Sequence, residues 1–258
     1  MRSVFWLLLL RISLCFSIGI IFPLYVFPWD PAFDTVIDLA IEYPNVPFIV
    51  IPAMPSNMSS SVFDPVLNDT ISRMQKANIR VLYYVFTDGG LILPPEWTDS
   101  IRQAKQQYQV NGVFFDSAPA ERNWWNYYAW YADLVHTMNL SLAVANPGEP
   151  VWSFHDTPMD IICMHEGYYL PRSEKYRWPK QKIYVIAYNT TFDTEWVQES
   201  KDSVGWMYIS DSDYTHTTLP TYLEYEISTF SAINNQSSSD ANVLKILYEQ
   251  IFRKEHGV

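Results

Sequence analysis

The sequence predicts a (β/α)₈ TIM barrel, an α/β fold of one domain with a C-terminal helical extension. Three observations carry this. Eight short apolar runs rich in β-formers recur along the chain, hydrophobic on both faces as buried parallel strands are. Stretches with apolar residues at spacings of three and four lie between them, as helices covering such a sheet require. The turn after the first run, Phe22-Pro-Leu-Tyr-Val-Phe-Pro-Trp, has no glycine, which argues against an open doubly wound sheet with a phosphate loop.

In chain order the predicted strands are Ile20–Val26, Pro47–Ile51, Arg80–Phe86, Gly112–Phe115, Ser141–Ala145, Asp160–Met164, Lys182–Ala187 and Gly205–Ile209. Predicted helices include Val66–Ala77, Pro95–Tyr108, Trp124–Met138, Thr194–Lys201 and Leu219–Ser231. The polar run 234–240, Asn-Asn-Gln-Ser-Ser-Ser-Asp, reads as a linker before a last helix, Ala241–Lys254. The expected organisation is a signal peptide over 1–17, the barrel over 18–233, and linker plus C-terminal helix over 234–258. At 258 residues and 48% hydrophobic, one core suffices.

The leader reading rests on Arg2 followed by apolar residues 4–10 and 12–16, with Ser17 a suitable cleavage point. Arg11 interrupts the run, which falls short of the roughly 20 residues of a membrane span, so no stable span is expected. Sequons at Asn57, Asn68, Asn139, Asn189 and Asn235 point to the same compartment, secreted into the extracellular space or cell wall, with glycosylation at those asparagines. The cysteines are Cys15, in the leader, and Cys163, in an apolar run, so no disulfide framework is available. The net charge of −11 from 28 acidic and 17 basic residues, without a basic cluster, argues against nucleic acid and for a neutral or cationic partner.

In such a barrel the chemistry sits where the strands end. Those positions carry Tyr25, Asp88, Asp116, Asn146, His165-Glu166, Tyr188 and Asp211, with Trp124 and Trp125 nearby. Aromatic faces stack on pyranose rings while carboxylates and amides take the hydroxyls, so this set describes a sugar cleft. Glycoside cleavage needs two carboxyl groups, and Asp116 and Glu166 are the candidates for catalysis. Tyr25, Tyr84, Asp88, Asn146, His165, Tyr188 and Asp211 are the candidates for substrate contact. Asp116 is notable because desolvating a carboxylate at a buried strand tip costs several kcal/mol unless it is used, paired or wet.

Strict alternation places Gly112 and Phe114 inward with Asp116, and Ile162 and Met164 inward with Glu166. The competing reading has one or both acids capping a helix or pairing with Arg122 or Arg172. Asp88-Gly89-Gly90 is also a turn signal, and His155-Asp156 reads as a turn or cap. Most rings of the tract Trp124 to Tyr131 should be core, with only its first turn free to face the cleft. No metal-ligand spacing and no Gly-x-Ser-x-Gly elbow is present, so neither a cofactor nor a serine nucleophile is expected.

Ile20 to Pro28, Tyr84-Val-Phe-Thr, Gly112-Val-Phe-Phe-Asp, Asn146-Pro-Gly, Asp160 through Tyr169, and Val204-Gly-Trp-Met-Tyr-Ile-Ser-Asp occur in the order seen in spherulin-4-like proteins. The chain resembles that family from about Ile20 to Phe230. The resemblance implies a secreted barrel glycoside hydrolase related to fungal endo-α-1,4-N-acetylgalactosaminidases, acting on galactosaminogalactan, a partly cationic polysaccharide. It also implies an Asp-Glu pair after strand 4 and a glutamate after strand 6. Asp116 and Glu166 match two of these acids; Ser117 stands where the family has the third. The glycine- and asparagine-rich segment usual after strand 2 is replaced by Pro52-Ala-Met-Pro-Ser-Asn-Met. A carbohydrate-binding wall or matrix protein that keeps the cleft without the chemistry is the alternative that Ser117 raises.

Overall fold

A computed structural model describes residues 17–256 except 57, 59–61, 93–94, 122–123, 152–157, 173–175 and 177. Nearly all of the expected leader, Asn57, Arg122 and the His155-Asp156 turn lie outside the described residues. Eight parallel strands, each paired with the next and the last with the first, close into a barrel. They are β1 (Gly19–Leu24), β2 (Phe48–Pro52), β3 (Arg80–Phe86), β4 (Gly112–Asp116), β5 (Leu142–Asn146), β6 (Ile161–Gly167), β7 (Ile183–Ala187) and β8 (Trp206–Ile209). The predicted TIM barrel is the fold, and all eight strands fall where the apolar runs are.

The helices described are α1 (Pro31–Glu42), α2 (Pro65–Lys76), α3 (Pro95–Tyr108), α4 (Trp125–Thr137), α5 (Thr194–Ser200) and α6 (Leu223–His256). The starts of α1 and α2 follow from an Asp-Pro pair: Asp30 and Asp64 accept bonds from the first free amides, and the proline brings no unsatisfied N–H of its own. Asp193 caps α5 through the amide of Trp196, 3.0 Å away. Within the aromatic tract Tyr128 and Tyr131 are fully buried, Tyr127 is partly buried against the core and Trp130 is exposed; Tyr131 stacks on Phe115 with centroids 4.3 Å apart. Among the described residues no helix is long and apolar enough to cross a membrane.

Two expectations need correction. The run 234–240 is not a linker, because α6 passes through it without a break. Asn234 is buried; its amide donates to the carbonyls of Ile18 at 3.0 Å and Asn45 at 2.9 Å and accepts from the Ile18 N–H at 2.7 Å. A polar residue that reads as solvent-loving thus fastens the helix beneath the entry to β1. Ser237 and Ser238 bond back to the carbonyls of Ile233 and Asn234, which lets hydroxyl residues stay helical.

The second correction is in β6. Its register against β7 shifts between Cys163 and His165, so the strand holds one more residue than simple alternation allows. Ile161 and Cys163 pair with the inward Val144 and Tyr184, and Glu166 pairs with Ile186 on the same face. Ile161 and Cys163, rather than Ile162 and Met164, therefore share the interior with Glu166. Tyr184 marks that interior by reaching the Ile21 carbonyl on β1, 2.8 Å away. At β4 the alternation holds, and Gly112 is required: a Cβ there would lie 2.1 Å from the Leu142 carbonyl oxygen.

Glu226 on α6 is fully buried, with Oε1 3.3 Å from the Ile209 N and Oε2 without a partner among the described residues. Burial pushes its carboxyl well above the usual range, opposed in part by the Ile209 bond. The folded state therefore holds a proton that the unfolded chain has released, and stability falls as pH rises above the ordinary glutamate range. Denaturant unfolding between about pH 5 and about pH 8 is expected to show this loss, and Glu226→Gln to flatten it. The Asn234→Ala variant should lose about 1–3 kcal/mol by stranding the Ile18 amide group, read from the same unfolding curves.

Candidate active site

Register brings the site together. Phe86, Asp116 and Asn146 are cross-strand partners on β3, β4 and β5, so their side chains project from the same face at the C-terminal mouth. Tyr84, one inward position below Phe86, donates to Asp116 Oδ2 at 2.8 Å. Asn146 Nδ2 donates to Asp116 Oδ1 at 2.8 Å and also to Glu166 Oε2 at 2.6 Å. Two oxygens bonded to one nitrogen lie at most about 5.4 Å apart, an upper limit that falls short of the inverting range.

The electrostatics follow from that geometry. Burial raises the Glu166 pKa, the Asp116 charge raises it further, and the Asn146 bond opposes both. Tyr84 is pushed strongly upward by burial and by Asp116, so its phenol remains a donor. Tyr25, edge-on to Tyr84 with centroids 5.5 Å apart, is raised by burial and then by Asp116, Tyr84 and Glu166. Asn146 Oδ1 is buried and has no partner among the described residues. Gly148 takes the left-handed backbone, φ +69°, in the turn where its carbonyl accepts the Glu166 N–H at 3.0 Å.

The rim beside Asp116 is tied down through backbone carbonyls. Thr87 Oγ1 lies 2.9 Å from the Asp116 carbonyl and 2.6 Å from that of Ser117, which also accepts the Gly89 N–H at 2.9 Å. Ser117 has a left-handed φ of +50° and an exposed side chain. A residue there stands in the mouth next to Asp116.

Of the residues singled out from sequence, Asp116, Glu166, Tyr25, Tyr84, Asn146 and Tyr188 come together. Tyr188 is half-buried and its phenol is raised by burial and by Glu166. Three others are engaged elsewhere. His165 falls on the outward side of the bulge, with Nε2 2.8 Å from the Tyr169 carbonyl and burial lowering its pKa. Asp211 spends both oxygens on the N–H and hydroxyl of Thr221. Asp88 is exposed on the left-handed turn before Gly89. Among the described residues neither candidate acid forms an ion pair. The sequons Asn139, Asn189 and Asn235 are exposed and Asn68 is half-buried.

Two further residues, Phe86 and His216, stand at the site. Phe86 is 45% exposed on the face of Asp116, a position that alternation from Tyr84 would have indicated. His216 gave no signal, lying in a polar Thr-His-Thr-Thr loop. Its ring is buried edge-on to Tyr25, Tyr188 and Tyr208 with centroids 5.6 to 6.2 Å apart, and its carbonyl accepts the Tyr25 N–H at 3.0 Å. Burial lowers its pKa to about 4, so it is a neutral imidazole.

The family model for Spherulin4, spherulation-specific family 4, matches residues 19–230. Among solved structures, Aspergillus clavatus Sph3 in complex with GalNAc is similar at 17% identity and a TM-score of 0.66, over 83% of this chain and 98% of that one. The Bacillus cereus spore cortex-lytic enzyme SleL, at 10% identity and TM-score 0.43, overlaps 67% of this chain and 50% of its own. A Pyrococcus furiosus tryptophan synthase α-subunit mutant, at 10% identity and TM-score 0.45, overlaps 85% and 96%. The first shares the barrel fold. No curated protein matches the sequence.

Removing the shared amide should raise the Glu166 pKa, because the bond it loses is the one that lowers it. Carbon NMR titration of labelled glutamate carboxyls in wild type and Asn146→Ala is the measurement; an unchanged or lower value would contradict the assignment.

Proposed function

We propose, because this chain belongs to spherulation-specific family 4 and one amide nitrogen in its barrel mouth bonds two carboxylates, that it is a secreted glycoside hydrolase acting on an amino-sugar polysaccharide. The observation that carries the reading is the Asp116–Asn146–Glu166 arrangement. A galactosaminogalactan-like chain suits the −11 net charge, since deacetylated amino sugars are cationic. Secretion and N-glycosylation belong to the same reading and rest on the leader and the sequons.

The spacing favours a retaining reaction. Glu166, whose pKa is raised, donates its proton to the leaving glycosidic oxygen as Asp116 attacks the anomeric carbon. The C–O bond to the leaving sugar breaks, a glycosyl ester on Asp116 forms, and Glu166 is left ionised. It then takes a proton from the water that displaces Asp116, restoring both groups. Tyr84 and Asn146 hold Asp116 in line, one on each oxygen. Tyr25, Tyr188 and Phe86 supply the walls.

Ser117 favours a second reading, in which the cleft binds the polymer without cutting it. A serine hydroxyl cannot replace a general acid near neutral pH. The two readings separate on purified protein and galactosaminogalactan: oligosaccharide release supports the hydrolase, whereas binding without release supports the second.

Asp116→Asn and Glu166→Gln are each expected to lower cleavage by about 10²–10⁴-fold, measured by reducing ends. Undiminished cleavage by either variant removes that residue from the mechanism. Proton NMR of the first product should show the anomeric configuration kept, and kcat/KM should fall as pH rises through the elevated Glu166 pKa. Ser117→Glu should increase the rate if the missing acid limits it.

A further inference from the structure

We propose that Tyr168, Tyr188 and Tyr214 form an aromatic platform on the Glu166 side of the mouth that stacks a pyranose ring of the bound chain. This rests on the polysaccharide reading of the site and names a subsite for it. The three residues follow β6, β7 and β8, three consecutive strand tips. Tyr188 packs edge-on to Tyr168 at 4.6 Å and 89°, and to Tyr214 at 6.4 Å and 60°. The outer two rings are 58% and 61% exposed, while Tyr188 is half-buried. The Tyr188 N–H bonds the carbonyl of Gly167, the residue after Glu166, which sets the platform beside the carboxylate pair.

Its frame is fixed by backbone bonds. The Tyr188 N–H donates to the Gly167 carbonyl at 2.9 Å, and the Asn189 N–H to the Ser212 carbonyl at 2.8 Å, joining all three loops. The loop bearing Tyr214 is braced at both ends: Asp211 bonds Thr221, and Asp213 accepts the Thr215 N–H at 3.0 Å. A pre-set frame lets exposed rings bind without a large ordering cost. The loop that carries Tyr214 is rich in hydroxyls, with Thr215 bonded to Thr217 at 3.1 Å and Thr218 donating to Ser212 at 2.8 Å. Tyrosine itself pairs an apolar face for the ring's C–H groups with a hydroxyl for its oxygens.

The test uses the full chain and an α-1,4-linked N-acetylgalactosamine/galactosamine oligosaccharide as probe. Calorimetric binding is measured on Glu166→Gln protein, which keeps the ligand intact, with and without Tyr168→Ala and Tyr214→Ala together. Cleavage of the polymer is measured on wild type and on the double tyrosine variant, with circular dichroism to verify folding. The double variant is expected to bind at least about tenfold more weakly and to show a raised KM. Unchanged affinity and KM in a folded double variant would overturn the platform while leaving the hydrolase reading standing. Tyrosine-dependent binding without wild-type cleavage would sink the hydrolase reading and support the platform, and absence of both binding and cleavage would overturn both.

Discussion

A single amide nitrogen, Asn146 Nδ2, lies between two acids that would otherwise repel each other. At an effective dielectric of about 20, two full charges no more than about 5.4 Å apart cost at least roughly 3 kcal/mol. The barrel accommodates them by giving both carboxylates a shared donor and by leaving Glu166 disposed to keep its proton. Most features of the mouth serve that arrangement. Tyr84 occupies the other oxygen of Asp116, Gly148 turns so that its carbonyl holds the Glu166 N–H, and Thr87 ties the Asp116 backbone to the next strand tip.

The extra residue in β6 is what makes the arrangement possible. Without the shift between Cys163 and His165, pairing would turn either Cys163 or Glu166 away from the interior. With it, Cys163 remains a buried thiol below and Glu166 faces Asn146, while His165 is turned outward to the Tyr169 carbonyl. Bulges beside functional sites commonly re-aim one side chain in this way. Here the re-aimed side chain is the one whose pKa is raised by burial.

Away from the two acids, other buried polar groups do structural work. Arg80 lies 5.1 Å over the ring of Trp206, placing a cation against an aromatic face inside the barrel. Asn234 and Glu226 bind α6 to β1 and β8, so the helix that follows the last strand is part of the barrel's closure. Two polar residues on one helix are buried for opposite reasons of chemistry: the amide is fully bonded, while the carboxyl is tolerated by staying protonated.

Sequence by itself determined the barrel, because eight doubly apolar runs separated by helical spacings leave few other ways to bury the chain. It also determined that Asp116, Glu166, Tyr25, Asn146 and Tyr188 stand at strand ends, since the C-terminal edge of each strand is readable from where its apolar run stops. Tertiary structure alone decided which of them meet. Asp211 and His165 carry the same chemistry and nearly the same positions, yet one is taken by Thr221 and the other is turned out by a bulge. His216 enters from a loop with no pattern, because its place depends on a backbone bond to Tyr25 across the sheet closure. Periodicity is a local property of a strand; register, bulges and long-range polar partners arise only when strands are set side by side.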